Sequence, residues 1–383
     1  MKKTISIILA VLLLVCVFST EAFAENYPRM EVEIRAKSSI LMDCSSGKVL
    51  MAQNADEKLY PASVTKIMSM ILVFEAVDSG KISLEDTVTT SANASKKGGS
   101  QIWLKEGEQM TVNEMLKATA IASANDACTA LGEFIAGSDE AFVNMMNEKA
   151  EQLGMTNTHF DNCTGLDDST DNHFTTAYDI ALMARELLKH EKIKDYSTVW
   201  MDNLRGGETQ LVNTNKLVRT YDGITGLKTG TTSKAGCCVC ATAQRDGLEL
   251  IAVVMGSDNS KDRFNGAKSL LDWGFANYSA ASLVSDSTLI TEVNVINGSE
   301  EKIMPVVKEE KTALINKGRQ GDITQKIELP VDVEAPVEEN QILGKVTFLL
   351  DGETIGELKL FAPHSVKKLS FYENYKRLLS NLL

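Results

Sequence analysis

The stretch "PASVTKIMSM", residues 61–70, sets a serine and a lysine three apart at the head of a run that is otherwise apolar. On a helix, positions i and i+3 share a face, so Ser63 and Lys66 would be neighbours. The residues that follow, Ile67, Met68, Met70, Ile71, Leu72, Val73 and Phe74, leave hardly any polar face. A helix that is apolar all round belongs in the middle of a domain. A lysine carried there must find partners or give up its proton, because desolvation lowers its pKa from about 10.4. A neutral lysine beside a hydroxyl is a general base beside a nucleophile. The same residues would also suit a plain helix start, with Ser63 as cap and Lys66 snorkelling to solvent. S-x-x-K recurs at Ser299/Lys302 and Ser365/Lys368, so the rest of the chain must discriminate.

On the N-terminal side, "SSILMDCSSGKVLMAQ" (38–53) reads as two strands joined at a turn ending in Gly47. On the C-terminal side the helix should stop near Ser79-Gly80. "TVNEMLKATAIASANDACTALGEFIAG" (111–137) opens with a capping box, Thr111-x-x-Glu114, and is helical on both sides of a break at Ser123-Ala124-Asn125. Helices are expected at about 139–153, 173–190 and 262–278. From 208 to 256 the pattern turns strand-like in "TQLVNTNKLV", "GITGLKTGTT", "GCCVCATAQ" and "LELIAVVMG". Strands, a helical block and more strands predict an α+β fold, an antiparallel sheet with helices on its faces. Near 282 the character shifts to short strands and turns, including a hairpin over Asp351-Gly352. This predicts a catalytic domain over 25–282 and a small all-β domain over 283–364.

The N-terminus "MKKTISIILAVLLLVCVFSTEAFAEN" has two lysines, an apolar run and an A-x-A site at Ala22-Phe23-Ala24. It predicts a signal peptide over 1–24, its apolar run being short for a spanning helix, and hence an extracytoplasmic protein. Losing Lys2, Lys3 and Glu21 moves the formal charge from −13 to −14, which argues against a nucleic-acid partner. Six cysteines remain beyond Cys16, scattered or clustered at Cys237, Cys238 and Cys240. In a domain of this size they read as small buried hydrophobes. Cys237-x-x-Cys240 lacks a second cysteine pair or a histidine pair nearby, so no metal site and no cofactor are expected.

Nucleophilic acyl transfer needs an attacking oxygen, a base, a proton route to the leaving group and donors facing the oxyanion. Candidates follow Ser63 and Lys66 in order. Ser123-Ala124-Asn125 breaks two helices, which puts a hydroxyl and an amide on a turn held from both sides. Lys228-Thr229-Gly230 lies in an expected strand, where Gly230 leaves room for another backbone. S-x-N recurs at Ser91-Ala92-Asn93 and, as S-D-N, at Ser257-Asp258-Asn259, whereas K-T-G occurs once.

The order S-x-x-K, S-x-N, K-T-G, with steps of 60 and 105 residues, is the signature set of penicillin-recognising serine enzymes. The chain resembles the D-alanyl-D-alanine carboxypeptidases, the low-molecular-mass penicillin-binding proteins. The likeness extends through "ILMDCSSGKVLMAQNADEKLYPASVTKIM", "ASANDAC", "FDNCTGLDDSTDNHFTTAYDIALMAREL", "NTNKLV", "GITGLKTGTTSKAGCC" and "RFNGAKSLLDWGF", and into the tail. It implies a β-lactamase/transpeptidase-like fold, a peptidoglycan pentapeptide ending in D-Ala-D-Ala as substrate, and β-lactams as acylating ligands. By that resemblance Ser63 is acylated, Lys66 is the base and Ser123 relays a proton to the departing D-alanine. Asn125 would hold the substrate amide and Lys66, and Lys228 would add positive potential. The N–H groups of Ser63 and Thr231 would form the oxyanion hole. Thr229 and Thr231 would bind the terminal carboxylate beside Gly230, with Arg263 next to them. The convergence of Lys66, Lys228 and Arg263 suits an anionic substrate on an acidic protein, and repulsion between the two lysines favours a neutral one.

A secreted serine β-lactamase shares the three triplets, but the nearest match to its E-x-x-L-N element, Glu208 to Asn213, is one residue too long and reads as a strand. A non-catalytic cell-wall peptide or β-lactam binder would not need the intact serine–lysine pair. The tail "SVKKLSFYENYKRLLSNLL" (365–383) reads as an amphipathic helix with a local charge of +3. By pattern and by resemblance it would bind anionic lipid at the outer face of the cytoplasmic membrane.

Overall fold

A computed structural model describes residues 31–167, 170–284 and 290–380, with side chains to Arg377 in the last helix. The leader expected over 1–24 and the leucines that end the tail lie outside the described residues.

The main sheet has β1 (Ser38–Asp43), β2 (Val49–Gln53), β3 (Ile224–Thr232), β4 (Gly236–Arg245) and β5 (Leu248–Ser257), in the order β2-β1-β5-β4-β3, all antiparallel. Side chains alternate along each strand. Ile40, Met42, Cys240, Ile251 and Val253 enter one core, while Leu41, Val239, Leu250, Ala252 and Val254 enter the other. Because both faces are covered, the strands read as continuous apolar runs. The first face carries α1 (Lys66–Asp78), α2 (Val112–Ala120), α3 (Asn125–Ala136), α4 (Asp139–Gln152) and α5 (Ala177–Leu187). The second carries α6 (Ser260–Asn277) through Phe264, Leu270, Leu271 and Phe275. In α1, Ile67, Met68, Ile71 and Phe74 are wholly buried, and truncating such a residue to alanine costs about 2–5 kcal/mol. The α+β architecture read from the sequence is the one observed.

Local signals were accurate where side chains bond their own backbone. Thr111 and Glu114 make the reciprocal cap of α2, and the turn at Gly47 has φ +74°. Two stretches differ from expectation. The helix expected over 173–190 begins only at Ala177, because Thr176 caps it and the preceding residues are extended, pairing at Leu59↔Thr175 and His159↔Phe174. "TQLVNTNKLV" is a strand only over Thr209–Val212, followed by a helical turn at Leu217–Thr220. There Asn213 Oδ1 accepts from Asn215 N and Asn215 Oδ1 accepts from Leu217 N, local bonds that compete with a strand ladder.

Beyond α6, Tyr278–Ser282 pairs with Thr312–Asn316. Two three-stranded sheets follow. Lys302–Ile303, Val293–Ile296 and Asp332–Glu334 form one, and Thr324–Glu328, Ile342–Leu350 and Glu353–Phe361 form the other. Asp351 and Gly352 both have positive φ at the expected hairpin. Residues 365–369 are not helical, contrary to the sequence reading. Val366 is buried and bridges to Val337, and Lys368 bridges to Gly298. The terminal helix starts at Phe371, with Ser370 and Glu373 bonding reciprocally at its head. No described helix is long and apolar enough to cross a membrane.

Candidate active site

Ser63 lies in a single 3-10 turn, Ala62–Thr65, that leads into α1 at Lys66. The two residues are therefore not on one α-helix, but i and i+3 eclipse in a 3-10 turn and the side chains still meet. Lys66 has no exposed surface. Its Nζ lies 2.9 Å from Ser63 Oγ, 2.5 Å from Asn125 Oδ1 and 2.9 Å from Thr164 O. Asn125 Nδ2 donates to Gly98 O at 2.6 Å, which fixes the amide with its oxygen toward Lys66. Asn125 Oδ1 and Thr164 O are obligate acceptors. A neutral amine satisfies both with its two N–H groups and keeps its lone pair for the Ser63 hydroxyl proton. Burial pushes the Lys66 pKa down to about 8, so this neutral form is within reach near physiological pH.

Ser123 occupies the break between α2 and α3 with φ +64°, a conformation that costs a non-glycine residue about 1–2 kcal/mol. Its Oγ accepts from Lys228 Nζ at 2.8 Å, and Lys228 also donates to Thr229 O at 3.0 Å. Lys228 is fully buried. Burial first, then the positive charges of Lys66 and Arg263, hold its pKa well below the ordinary lysine value. One hydrogen-bonded array thus runs from Ser63 through Lys66 to Asn125, and a second joins Lys228 to Ser123, two positions before Asn125.

Two glycines let these elements meet. A Cβ on Gly230 would stand 2.8 Å from Pro61 O and 2.9 Å from Ser63 N, so β3 presses directly on the turn that carries Ser63. A Cβ on Gly165, which has φ +86°, would lie 1.8 Å from Ala62 O. The 162–165 loop packs against the other side of the same turn. Asn162 Oδ1 shapes that loop by accepting from Thr164 N and Gly165 N, and so aims Thr164 O at Lys66. Beneath the turn, His173 Nδ1 accepts from Asp161 N and its Nε2 lies 2.8 Å from Thr65 Oγ1. Burial lowers the His173 pKa to about 4, which keeps this support uncharged.

Toward the end of β3, exposed Thr231 receives Arg263 from α6. Arg263 Nη1 donates to Gly230 O and Thr231 Oγ1, both at 2.9 Å, and to Cys238 O at 3.2 Å. Thr229 Oγ1 donates to Thr214 Oγ1 at 2.7 Å. The two alternative S-x-N triplets are structural. Ser91 caps the helix Ala92–Ser95, Ser257 Oγ donates to Arg35 O, and Asn259 caps α6.

The sequence profile of the D-alanyl-D-alanine carboxypeptidase family, peptidase S11, matches residues 22–259. The chain belongs to the D-alanyl-D-alanine carboxypeptidase family. The profile of the penicillin-binding protein 5 C-terminal domain matches residues 278–368. This family member is 40% identical to D-alanyl-D-alanine carboxypeptidase DacF of Bacillus subtilis over 100% of this chain and 99% of that one. It is 34% identical to DacC of Escherichia coli over 93% and 90%. Penicillin-binding protein 5 from Haemophilus influenzae superposes with a TM-score of 0.72 at 31% identity, over 89% of this chain and 100% of that one. The protein is a serine D-Ala-D-Ala carboxypeptidase of the penicillin-binding type with the corresponding fold.

Within this carboxypeptidase the structure brings Ser63, Lys66, Ser123, Asn125, Lys228, Thr229, Gly230, Thr231 and Arg263 together as the sequence reading grouped them. Sequence reasoning gave no place to Thr164, Asn162, Gly165, Thr214 or the Gly98 carbonyl. Thr164 and Gly98 contribute backbone carbonyls, which carry no residue identity; Asn162 and Thr214 act through side chains and Gly165 through its missing Cβ, but their distant partners are set by the fold.

Proposed function

We propose that Ser63 is the nucleophile that takes the acyl group of the penultimate D-alanine and that Lys66 receives its proton. The neutral amine geometry at Lys66 carries this reading: two N–H groups committed to acceptors and a lone pair 2.9 Å from Ser63 Oγ. Ser63 Oγ attacks the carbonyl carbon as its proton passes to Lys66, and the peptide bond then breaks as Ser123 passes its proton to the departing D-alanine amine and takes one back from the Lys66 ammonium, which returns to the neutral amine. Water then attacks the ester as neutral Lys66 takes its proton, and Lys66 hands that proton to the departing Ser63 oxygen, restoring the hydroxyl and the neutral amine. The N–H groups of Ser63 and Thr231, on the two segments that Gly230 lets touch, face the oxyanion. Asn125 holds the substrate amide, Lys228 supplies positive potential, and Thr229 and Thr231 bind the terminal carboxylate. Arg263 orients Thr231 and adds charge there. β-Lactams acylate the same hydroxyl; penicillin-binding protein D2 from Listeria monocytogenes, 29% identical with a TM-score of 0.60, is known in a cefotaxime-bound form.

The same reading puts the enzyme outside the cytoplasm, exported by residues 1–24 and held at the outer face of the cytoplasmic membrane by its last helix. Exposed Phe371, Tyr372 and Tyr375 support this. Its catalytic domain would be 25–282, its β-domain would run from 283 through the bridged residues to Leu369, and its membrane-associating segment would be the helix that starts at Phe371. The test is release of D-alanine from a pentapeptide ending in D-Ala-D-Ala. Wild type should release it, and Ser63→Ala and Lys66→Ala should each lose several kcal/mol of transition-state stabilisation. Undiminished release in Ser63→Ala would overturn the assignment.

A further inference from the structure

Trp103 is 74% exposed in a loop whose neighbours Ile102 and Leu104 are buried. Its backbone has φ +61°, a strained setting for an aromatic residue. The loop is pinned from two sides. The buried Asp126 carboxylate accepts from Ile102 N at 3.2 Å and from Leu104 N at 3.0 Å, and Arg205 donates to Ile102 O at 2.9 Å while pairing with Glu108 at 2.7 Å. A large apolar ring is therefore displayed rigidly to solvent beside a groove of about 770 Å³ that Trp103 shares with Lys105, Glu106, Glu108, Arg205 and Gln210. A strained backbone held in place by its surroundings is typical of ligand-contacting sites, and Trp103 is so held while its ring faces solvent.

We propose that Trp103 and this groove form a saccharide subsite, which takes the glycan of the polymeric substrate while the attached stem peptide occupies the Ser63 cleft. The inference rests on the proposed roles of Ser63 and Lys66. Asp126 follows Asn125 directly, so bond lengths laid end to end put the Trp103 backbone within about 13 Å of Asn125. Four extended stem residues between the scissile carbonyl and the sugar span at most about 14 Å. The lengths match. A flat rigid ring offers a face for the C–H side of a pyranose, and the Glu108–Arg205 pair and Gln210 offer donors and acceptors for hydroxyl and acetamido groups. The groove mixes both signs of charge, unlike the cationic cleft, which suits a sugar better than a second anionic peptide end.

The experiment compares wild type, Trp103→Ala and Trp103→Phe on a sugar-free stem pentapeptide and on the disaccharide-pentapeptide, with labelled penicillin as a third readout. For Trp103→Ala, kcat/KM on the disaccharide-pentapeptide should fall about tenfold, mainly through KM, and Trp103→Phe should recover most of it. Sugar-free turnover and penicillin acylation should stay within twofold. Equal losses on both peptides, or no loss on either, would overturn the saccharide subsite. Wild-type release of D-alanine from the sugar-free stem tests the Ser63 and Lys66 roles separately.

Discussion

Gly230→Ala isolates the contact that joins the nucleophile's turn to the K-T-G strand. The added Cβ would meet Pro61 O at 2.8 Å, Ala62 Cβ at 2.9 Å and Ser63 N at 2.9 Å. None of these atoms belongs to a flexible side chain, and carbon contacts settle near about 3.5–4.0 Å. Strand and turn must therefore separate by roughly 0.5–1 Å, at an overpacking cost of about 1–3 kcal/mol. The shift falls on Ser63 and on its N–H, and a misplacement of about 1 Å at a reacting centre costs about 10²-fold in rate. We expect the second-order rate of acylation by labelled penicillin to fall about 30- to 100-fold in a protein whose circular dichroism is unchanged. Gly321→Ala, where nothing lies within 4 Å of the added atom, serves as the matched control and should acylate like wild type. A folded Gly230→Ala protein that acylates within threefold of wild type would refute the claim that this contact positions Ser63.

Three further outcomes are expected. Lys66 has its pKa lowered to about 8, and the base must be neutral, so acylation should rise with pH and level above about 8, falling about 50-fold between pH 8 and pH 6; a flat stopped-flow profile over that range would remove Lys66 as the base. Ser123→Ala and Asn125→Ala should slow acylation about 10²-fold or more, while Ser257→Ala, whose hydroxyl only braces Arg35 O, should stay within a few-fold; the reverse ranking in the penicillin assay would show the wrong triplet had been chosen. The mature protein should sediment with anionic vesicles at low salt, and a chain ending at Leu369, which keeps the buried Val366 bridge, should remain soluble with unchanged turnover of small peptides; full-length protein that ignores such vesicles would make the terminal helix a packing element.

The parts of the site carried by side chains were legible because their identities and spacing are written in the chain. Lys66 at the head of a run with no polar face, the turn at Ser123 between two helical patterns, and a glycine after Lys228-Thr229 each had a local physical reason. Order separated Ser123-Ala124-Asn125 from its two look-alikes, which turned out to cap helices or brace a strand end. What stayed hidden depends on tertiary approach. The third partner of Lys66 is a carbonyl, Thr164 O, from a residue 98 positions away, and any residue could supply it. The late start of α5 and the extended 365–369 segment follow from pairing with distant residues at Leu59, Gly298 and Val337, which override local helical periodicity.

The most direct measurement of the central claim is the site of the acyl-enzyme. Protein incubated with the D-Ala-D-Ala pentapeptide or with penicillin, quenched in acid and digested with trypsin, yields the peptide Leu59–Lys66, which holds Ser63 with Tyr60 and Thr65. Fragmentation should place the added acyl mass on Ser63 for both ligands, with no adduct anywhere in Ser63→Ala. An adduct on another residue, or one that persists in Ser63→Ala, would contradict it.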